Sequence, residues 1–119
     1  MSDFPITIFH NPQCGTSRNT LALLREKGFE PDVIEYVKAG WTKAQLKDLF
    51  AGMGVSARQM MRTKGALAGE LGLLDEKIGD EAILDAMVAN PILVERPVVV
   101  TPKGVTLARP PEKALGLLP

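Results

Sequence analysis

A chain of 119 residues with 45% hydrophobic and 24% charged residues is long enough for one compact core, which excludes a disordered protein and a pair of ordinary domains. Lys plus Arg and Asp plus Glu both number 14, so no excess of positive charge exists to drive binding to nucleic acid or an anionic membrane. No stretch approaches membrane-spanning length and residues 1–5 lack the basic and apolar regions of a secretory leader, so residues 1–119 are expected to form a single cytoplasmic domain.

Ile6-Thr7-Ile8-Phe9 is a β-branched and aromatic run that stops at the turn-forming cluster His10-Asn11-Pro12, which predicts a strand entering a loop. Residues 15–27 predict a helix, with Leu21 and Leu24 on one face, Arg25 and Lys27 in the last turn and Gly28 as the stop. Val33-Ile34-Glu35-Tyr36-Val37 predicts a second, largely buried strand, and a right-handed crossover would lay the two strands parallel. Residues 41–90 read as a helical block. In it, Thr42 with Gln45 and Ser56 with Gln59 are capping boxes, backed by the staples Trp41 to Leu46 and Val55 to Met60. A further helix begins near Asp80, carries Ile83, Leu84, Met87 and Val88 as its apolar stripe, and ends at Asn90-Pro91. No element is assigned between Gly65 and Gly79. Val98-Val99-Val100-Thr101 and Val105-Thr106-Leu107-Ala108 flank Pro102-Lys103-Gly104 as a hairpin, and Pro110-Pro111 opens a last helix through Leu118. The sum is a small α/β fold with a mixed sheet, two parallel strands plus a hairpin, and an inserted helical block.

Cys14, the only cysteine, cannot form an internal disulfide or a multi-cysteine metal site, and a lone thiol fits a reducing compartment. It follows a strand and loop and directly precedes a helix, so the open backbone N–H groups of Gly15, Thr16 and Ser17 should point at its sulfur and favour the thiolate. Polar neighbours from Asn11 to Ser17 favour a reactive thiol over a cysteine that merely packs. His10, the only histidine, lies in the same loop; electrostatic tuning of Cys14 and a purely structural role are both open to it. Arg96 and Arg109 each precede a proline and bracket the predicted hairpin. With its turn centred near Lys103 they lie almost opposite each other, where like charges repel and an anion between them would relieve the repulsion. Arg62 is a plausible third cation. Met53, Met60, Met61 and Met87 read as core filler rather than a ligand set. Ser17 stands where a dithiol motif would place its second cysteine, and Arg18 and Thr20 stand wrongly for a phosphatase-type loop, so any resolving thiol must come from outside the chain.

From residue 6 to residue 21 the sequence, with its Asn11-Pro12-Gln13-Cys14-Gly15-Thr16-Ser17 core, resembles the active-site segment of the glutaredoxin-linked bacterial arsenate reductases, of thioredoxin-like fold. Residues 54–62, 90–100 and 108–110 are similar to the segments that carry that family's three oxyanion arginines. The resemblance implies Cys14 as nucleophile, Arg62, Arg96 and Arg109 as oxyanion ligands, and His10 as the group lowering the thiol pKa. It also implies Asn11, Gly15, Thr16 and Ser17 as the supporting loop and Pro97 as a cis-proline facing the cysteine. Its further implications are arsenate or a similar oxyanion as substrate, glutathione as thiol co-substrate, glutaredoxin as partner, and no bound cofactor or metal. The ending Arg109-Pro110-Pro111-Glu112 is similar to a branch of short proteins, and the Spx-type regulators share the fold while binding RNA polymerase. Together these define the alternative, a binding or regulatory module that does not reduce arsenate.

Overall fold

The structure is a computed structural model and describes residues 4–119; residues 1–3, part of the segment read as lacking a leader, lie outside the described residues. The short apolar run at the start forms β1 (Thr7–His10), whose last three residues are buried. It is one of two interior strands of the sheet. On one side it pairs in parallel with β2 (Asp32–Glu35), and on the other antiparallel with β3 (Val98–Thr101), which pairs in turn with β4 (Gly104–Leu107). Among the described residues the sheet has four strands in the order β2-β1-β3-β4. The hairpin turn is the two-residue loop Pro102-Lys103, with Thr101 opposite Gly104, so β4 starts and ends one residue earlier than residues 105–108.

The helix after β1, α1 (Gly15–Glu26), buries Ser17, Thr20 and Leu24. Leu24 joins Ile6, Ile8, Val99, Ala108 and Ala114 in one apolar cluster, so helix, sheet and C-terminal segment share a core. Gly28, at φ +91°, takes the left-handed conformation that ends the helix, one that costs a residue with Cβ far more. The C-terminal segment is a 3₁₀ helix, Pro111–Leu117, rather than the α-helix expected from Pro110-Pro111. Two prolines supply no N–H and Gly116 resists helical ordering, so the chain closes tighter turns, such as Lys113 N–H to Pro110 O at 3.1 Å.

The reading of residues 33–37 as a buried strand needs correction. The strand is Asp32–Glu35, and Tyr36 begins a one-turn helix, α2 (Tyr36–Ala39). Val33 is 39% exposed, because an edge strand has neighbours on one side only, and Val37 is 44% exposed on the one-turn α2, which buries only Tyr36.

The chain divides into two compact units: the residues through Ala39 together with Arg96–Pro119, which build the sheet, and Gly40–Glu95, which is helical. The second unit contains α3 (Lys43–Met53), α4 (Ala57–Met60), α5 (Leu67–Glu70), α6 (Asp80–Ala89) and a 3₁₀ turn, Pro91–Leu93. Both capping boxes form. Thr42 Oγ1 accepts from the Gln45 N–H at 3.1 Å and Ser56 Oγ from the Gln59 N–H at 3.1 Å, while each glutamine reaches back to its cap N–H. Trp41, Leu46 and Met60 are buried, as are Ile83, Leu84 and Met87 of α6; Val88, at the rim of that stripe in the last turn, is exposed. Within the unassigned stretch, Arg58 donates to the carbonyls of Leu73, Asp75 and Ile78, and Asp80 accepts from the first N–H groups of α4. The stretch left without an element thus contains the one-turn α5, closed by its own backbone bonds, and Arg58 ties the turns that follow it.

These burials give opposite expectations for two apolar truncations. Leu24→Ala, in the fully buried cluster, should lower unfolding free energy by about 2–5 kcal/mol. Val37→Ala should change it by less than about 0.5 kcal/mol, as exposed substitutions do. Urea denaturation of both variants checks the corrected edge: a large loss at Val37 would restore the buried strand.

Candidate active site

The register of the sheet assembles the site. Phe9 lies opposite Val98, so the C-terminal end of β1 sits beside the N-terminal end of β3, and Val98 lies opposite Leu107 at the end of β4. The ladder continues past the strands, with the Ala108 N–H donating to Pro97 O at 2.9 Å, which sets Arg96 opposite Arg109. Arg109 Nη1 donates to Arg96 O at 3.0 Å and also reaches the Cys14 sulfur at 3.8 Å. The peptide bonds Arg96-Pro97 and Arg109-Pro110 are both cis. Cys14, Arg96, Arg109, His10, Asn11 and Ser17 thus come together at one end of the sheet.

Cys14 occupies the cap position of α1 in an extended conformation, and its carbonyl accepts the Arg18 N–H. The sulfur closes no capping hydrogen bond of its own, yet the Ser17 N–H faces it closely enough to favour its anion. Burial pushes the thiol up. The Ser17 N–H, hydrogen bonds from the Arg96 and Arg109 guanidinium groups and the charge of Arg96 together outweigh that, so the pKa is lowered below the usual thiol range. Arg96 is buried, Arg109 partly so, and Cys14 is half-buried. Two guanidinium groups and one thiolate leave a net positive charge facing a partly accessible sulfur, an arrangement suited to drawing an oxyanion onto a nucleophile.

His10 contributes differently. It is 6% exposed, and burial lowers its pKa; Glu35 on β2 opposes this, while Arg18 and Arg25 on α1 reinforce it. Burial thus disfavours the charged imidazole, while the side chains of Arg96 and Arg109 lower the Cys14 pKa. Nδ1 of His10 lies 2.7 Å from Ser17 Oγ, which also accepts the Asn11 N–H at 3.0 Å. Asn11 in turn accepts the Gln13 N–H on Oδ1 and the Cys14 N–H on its carbonyl, and so pins the loop. A Cβ at Gly15 would meet only Arg18 Nη2, at 3.8 Å, so space does not demand glycine there. The Thr16 carbonyl accepts the Thr20 hydroxyl at 2.8 Å.

Arg62 stands in the helical unit. Its N–H donates to Leu93 O at 2.7 Å and its Nη1 pairs with Glu95 Oε1 at 3.3 Å, with both side chains largely covered. Sequence reasoning missed this partner, the Ser17 side-chain role, and Arg18, whose Nη1 donates to Pro12 O at 2.9 Å and clamps the loop. Arg18 carried a usable signal, since a side chain in the first turn of a helix can reach back over the loop before it. Among the described residues no cluster of three or more His, Cys, Asp or Glu could hold a metal ion, and no helix is long and apolar enough to cross a membrane.

The electrostatics make a direct prediction for the thiol. Alkylation of Cys14 by iodoacetamide should rise with pH through a midpoint below the unperturbed value of about 8.5, because only the thiolate reacts. Arg109→Leu removes a cation at the sulfur and should move that midpoint upward. A wild-type midpoint at or above about 8.5 would remove the electrostatic activation.

The profile of the ArsC family matches residues 9–117. An arsenate reductase from Synechocystis sp. is 56% identical over 118 residues, covering 99% of this chain and 82% of that protein. The arsenate reductase of Escherichia coli K12 is 47% identical over 114 residues, covering 96% of this chain and 81% of its own length. The structure of an arsenate reductase from Vibrio cholerae superposes with a TM-score of 0.93 at 41% identity, covering 98% of this chain and 100% of that one. The mixed α/β fold of this chain, thioredoxin-like in class, is therefore shared with that structure. A family match over almost the whole length, together with these identities, shows where the chain belongs: it is a member of the ArsC family.

Proposed function

We propose that this protein reduces arsenate to arsenite, with Cys14 as nucleophile and Arg96 and Arg109 as oxyanion ligands. The observation that carries the reading is the Cys14 sulfur held 3.8 Å from Arg109 Nη1, with Arg96 also lowering the pKa of the thiol. Relatives named arsenate reductase at 47–58% identity support the same chemistry. Arg62 enters the oxyanion set from the family resemblance alone.

The guanidinium forks bind the arsenate oxygens and the thiolate attacks arsenic, with an oxygen leaving as water after protonation. Arsenate to arsenite takes up two electrons. Two thiols supply them by becoming one disulfide, so arsenic acid and two thiols give arsenous acid, a disulfide and one water. Cys14 is the only thiol of the chain, so the second comes from outside. Glutathione fits that need and leaves a mixed disulfide on Cys14, which glutaredoxin then clears through thiol–disulfide exchange. The resemblance in the active-site segment supports both partners, and a reducing, cytoplasmic setting accords with the lone thiol.

The test is a coupled assay. With arsenate alone the protein should hold at most one equivalent of adduct on Cys14 and release no catalytic arsenite. Glutathione with glutaredoxin should restore cycling, thioredoxin should substitute poorly, and Cys14→Ser should abolish it. Multiple turnovers without an external thiol would contradict the single-thiol route.

Arg96→Lys and Arg109→Lys keep the charge but lose the fork, and each should weaken oxyanion binding by about 1.5–3 kcal/mol, roughly tenfold or more. Titration with arsenate or sulfate measures this. Unchanged affinity in both variants would return the arginines to a structural role.

A further inference from the structure

We infer that Arg18 is the contact for the second thiol: its guanidinium, held on the lip of the Cys14 loop, takes a carboxylate of glutathione and steers that thiol to the Cys14 sulfur. Arg96 and Arg109 then serve the oxyanion, and Arg18 serves the co-substrate. The inference deepens the proposed reaction and rests on Cys14 being the working thiol.

The proposed reaction needs a cation beyond those that hold the oxyanion. Glutathione carries two carboxylates and one ammonium group, so it approaches Cys14 as an anion. Arg96 and Arg109, which act on the sulfur, are the side chains assigned to arsenate, and a carboxylate taken up there would compete with the substrate. The sheet-building unit has two other arginines. Arg25 is paired with Glu30 at 3.0 Å. Arg18 is exposed and has no ion pair among the described residues.

Its position is fixed in advance. The Arg18 N–H donates to the Cys14 carbonyl at 3.0 Å, and Nη1 reaches back over the loop to Pro12 O at 2.9 Å. With one edge of the planar guanidinium engaged, donors on its other nitrogens stay available to a carboxylate, and little side-chain freedom remains to be lost on binding. Gly15 leaves the adjoining surface open. Its φ is not positive, and an added Cβ would meet only Arg18 Nη2, at 3.8 Å, so neither the backbone nor the packing calls for glycine. A side chain there would instead stand against the guanidinium, in the space a ligand of Arg18 occupies. Arg18 is not among the groups that chiefly set the Cys14 pKa, so holding the second thiol is separate from activating the first.

The test uses the full chain and no arsenate. With glutathione disulfide, the Cys14 thiolate attacks one sulfur, the S–S bond breaks, a glutathione thiolate leaves and a mixed disulfide remains on Cys14. Mass spectrometry follows the rate of this step, and the same rate is measured with 2-hydroxyethyl disulfide, which carries no charge. The ratio of the two rates cancels any change in the thiol or the loop and isolates the carboxylate. Arg18→Leu should lower that ratio roughly threefold to tenfold, the range of an exposed charge-assisted contact. Arg18→Lys keeps the charge without the fork and should fall between. A ratio in Arg18→Leu equal to the wild-type value would overturn the inference, because Arg18 would then act on the loop alone. A wild-type Cys14 inert to both disulfides would remove the working thiol, and the inference with it. A failed arsenate assay beside a lowered ratio would unseat the substrate and leave the co-substrate contact standing.

Discussion

The antiparallel pairing of β1 with β3, with Phe9 opposite Val98, is the constraint on which the site depends. Antiparallel strands place the end of one beside the beginning of the other, so the loop that leaves β1 with Cys14 necessarily emerges where Arg96 enters β3. The pairing of β3 with β4 then returns Arg109 to the same end. A slip of one residue would turn Ile8 and Val99, both fully buried, to the opposite face, so the apolar core holds the polar site in register. Packing and function are joined through those few residues.

At the sulfur, opposing effects are resolved by count. Burial alone would keep Cys14 protonated and inert, as with most cysteines in protein interiors. One backbone N–H and two guanidinium groups reverse that. Arg109 is in turn held by the backbone, since it donates to the Arg96 carbonyl.

The helical unit is built on different terms. Two of its helices, α3 and the one-turn α4, announce themselves by local chemistry, with Thr42 and Ser56 closing capping boxes that satisfy the first N–H groups. Its irregular stretch is held by Arg58, whose three carbonyl partners lie 15 to 20 residues away in sequence. Arg62 belongs to this unit and meets Glu95, so its charge is already partly compensated by a neighbour 33 residues on.

Local order determined much of the protein from the sequence alone. The apolar run before Asn11-Pro12, the glycine at 28, the capping boxes and the hairpin around Pro102-Lys103 each depend on residues a few positions apart, and each forms within a residue or two of where the pattern puts it. Cys14 at a helix start and the opposition of Arg96 and Arg109 were legible for the same reason, since one is a neighbour relation and the other follows from a short hairpin. Only the tertiary structure decided the exposure of Val33, because periodicity marks a strand but not whether it lies at a sheet edge. It alone decided the partners of the polar groups. That Ser17 Oγ meets His10, that Arg109 reaches the Cys14 sulfur across 95 residues and that Arg62 meets Glu95 depends on how separate elements are brought together, and short-range sequence chemistry carries no record of that distance.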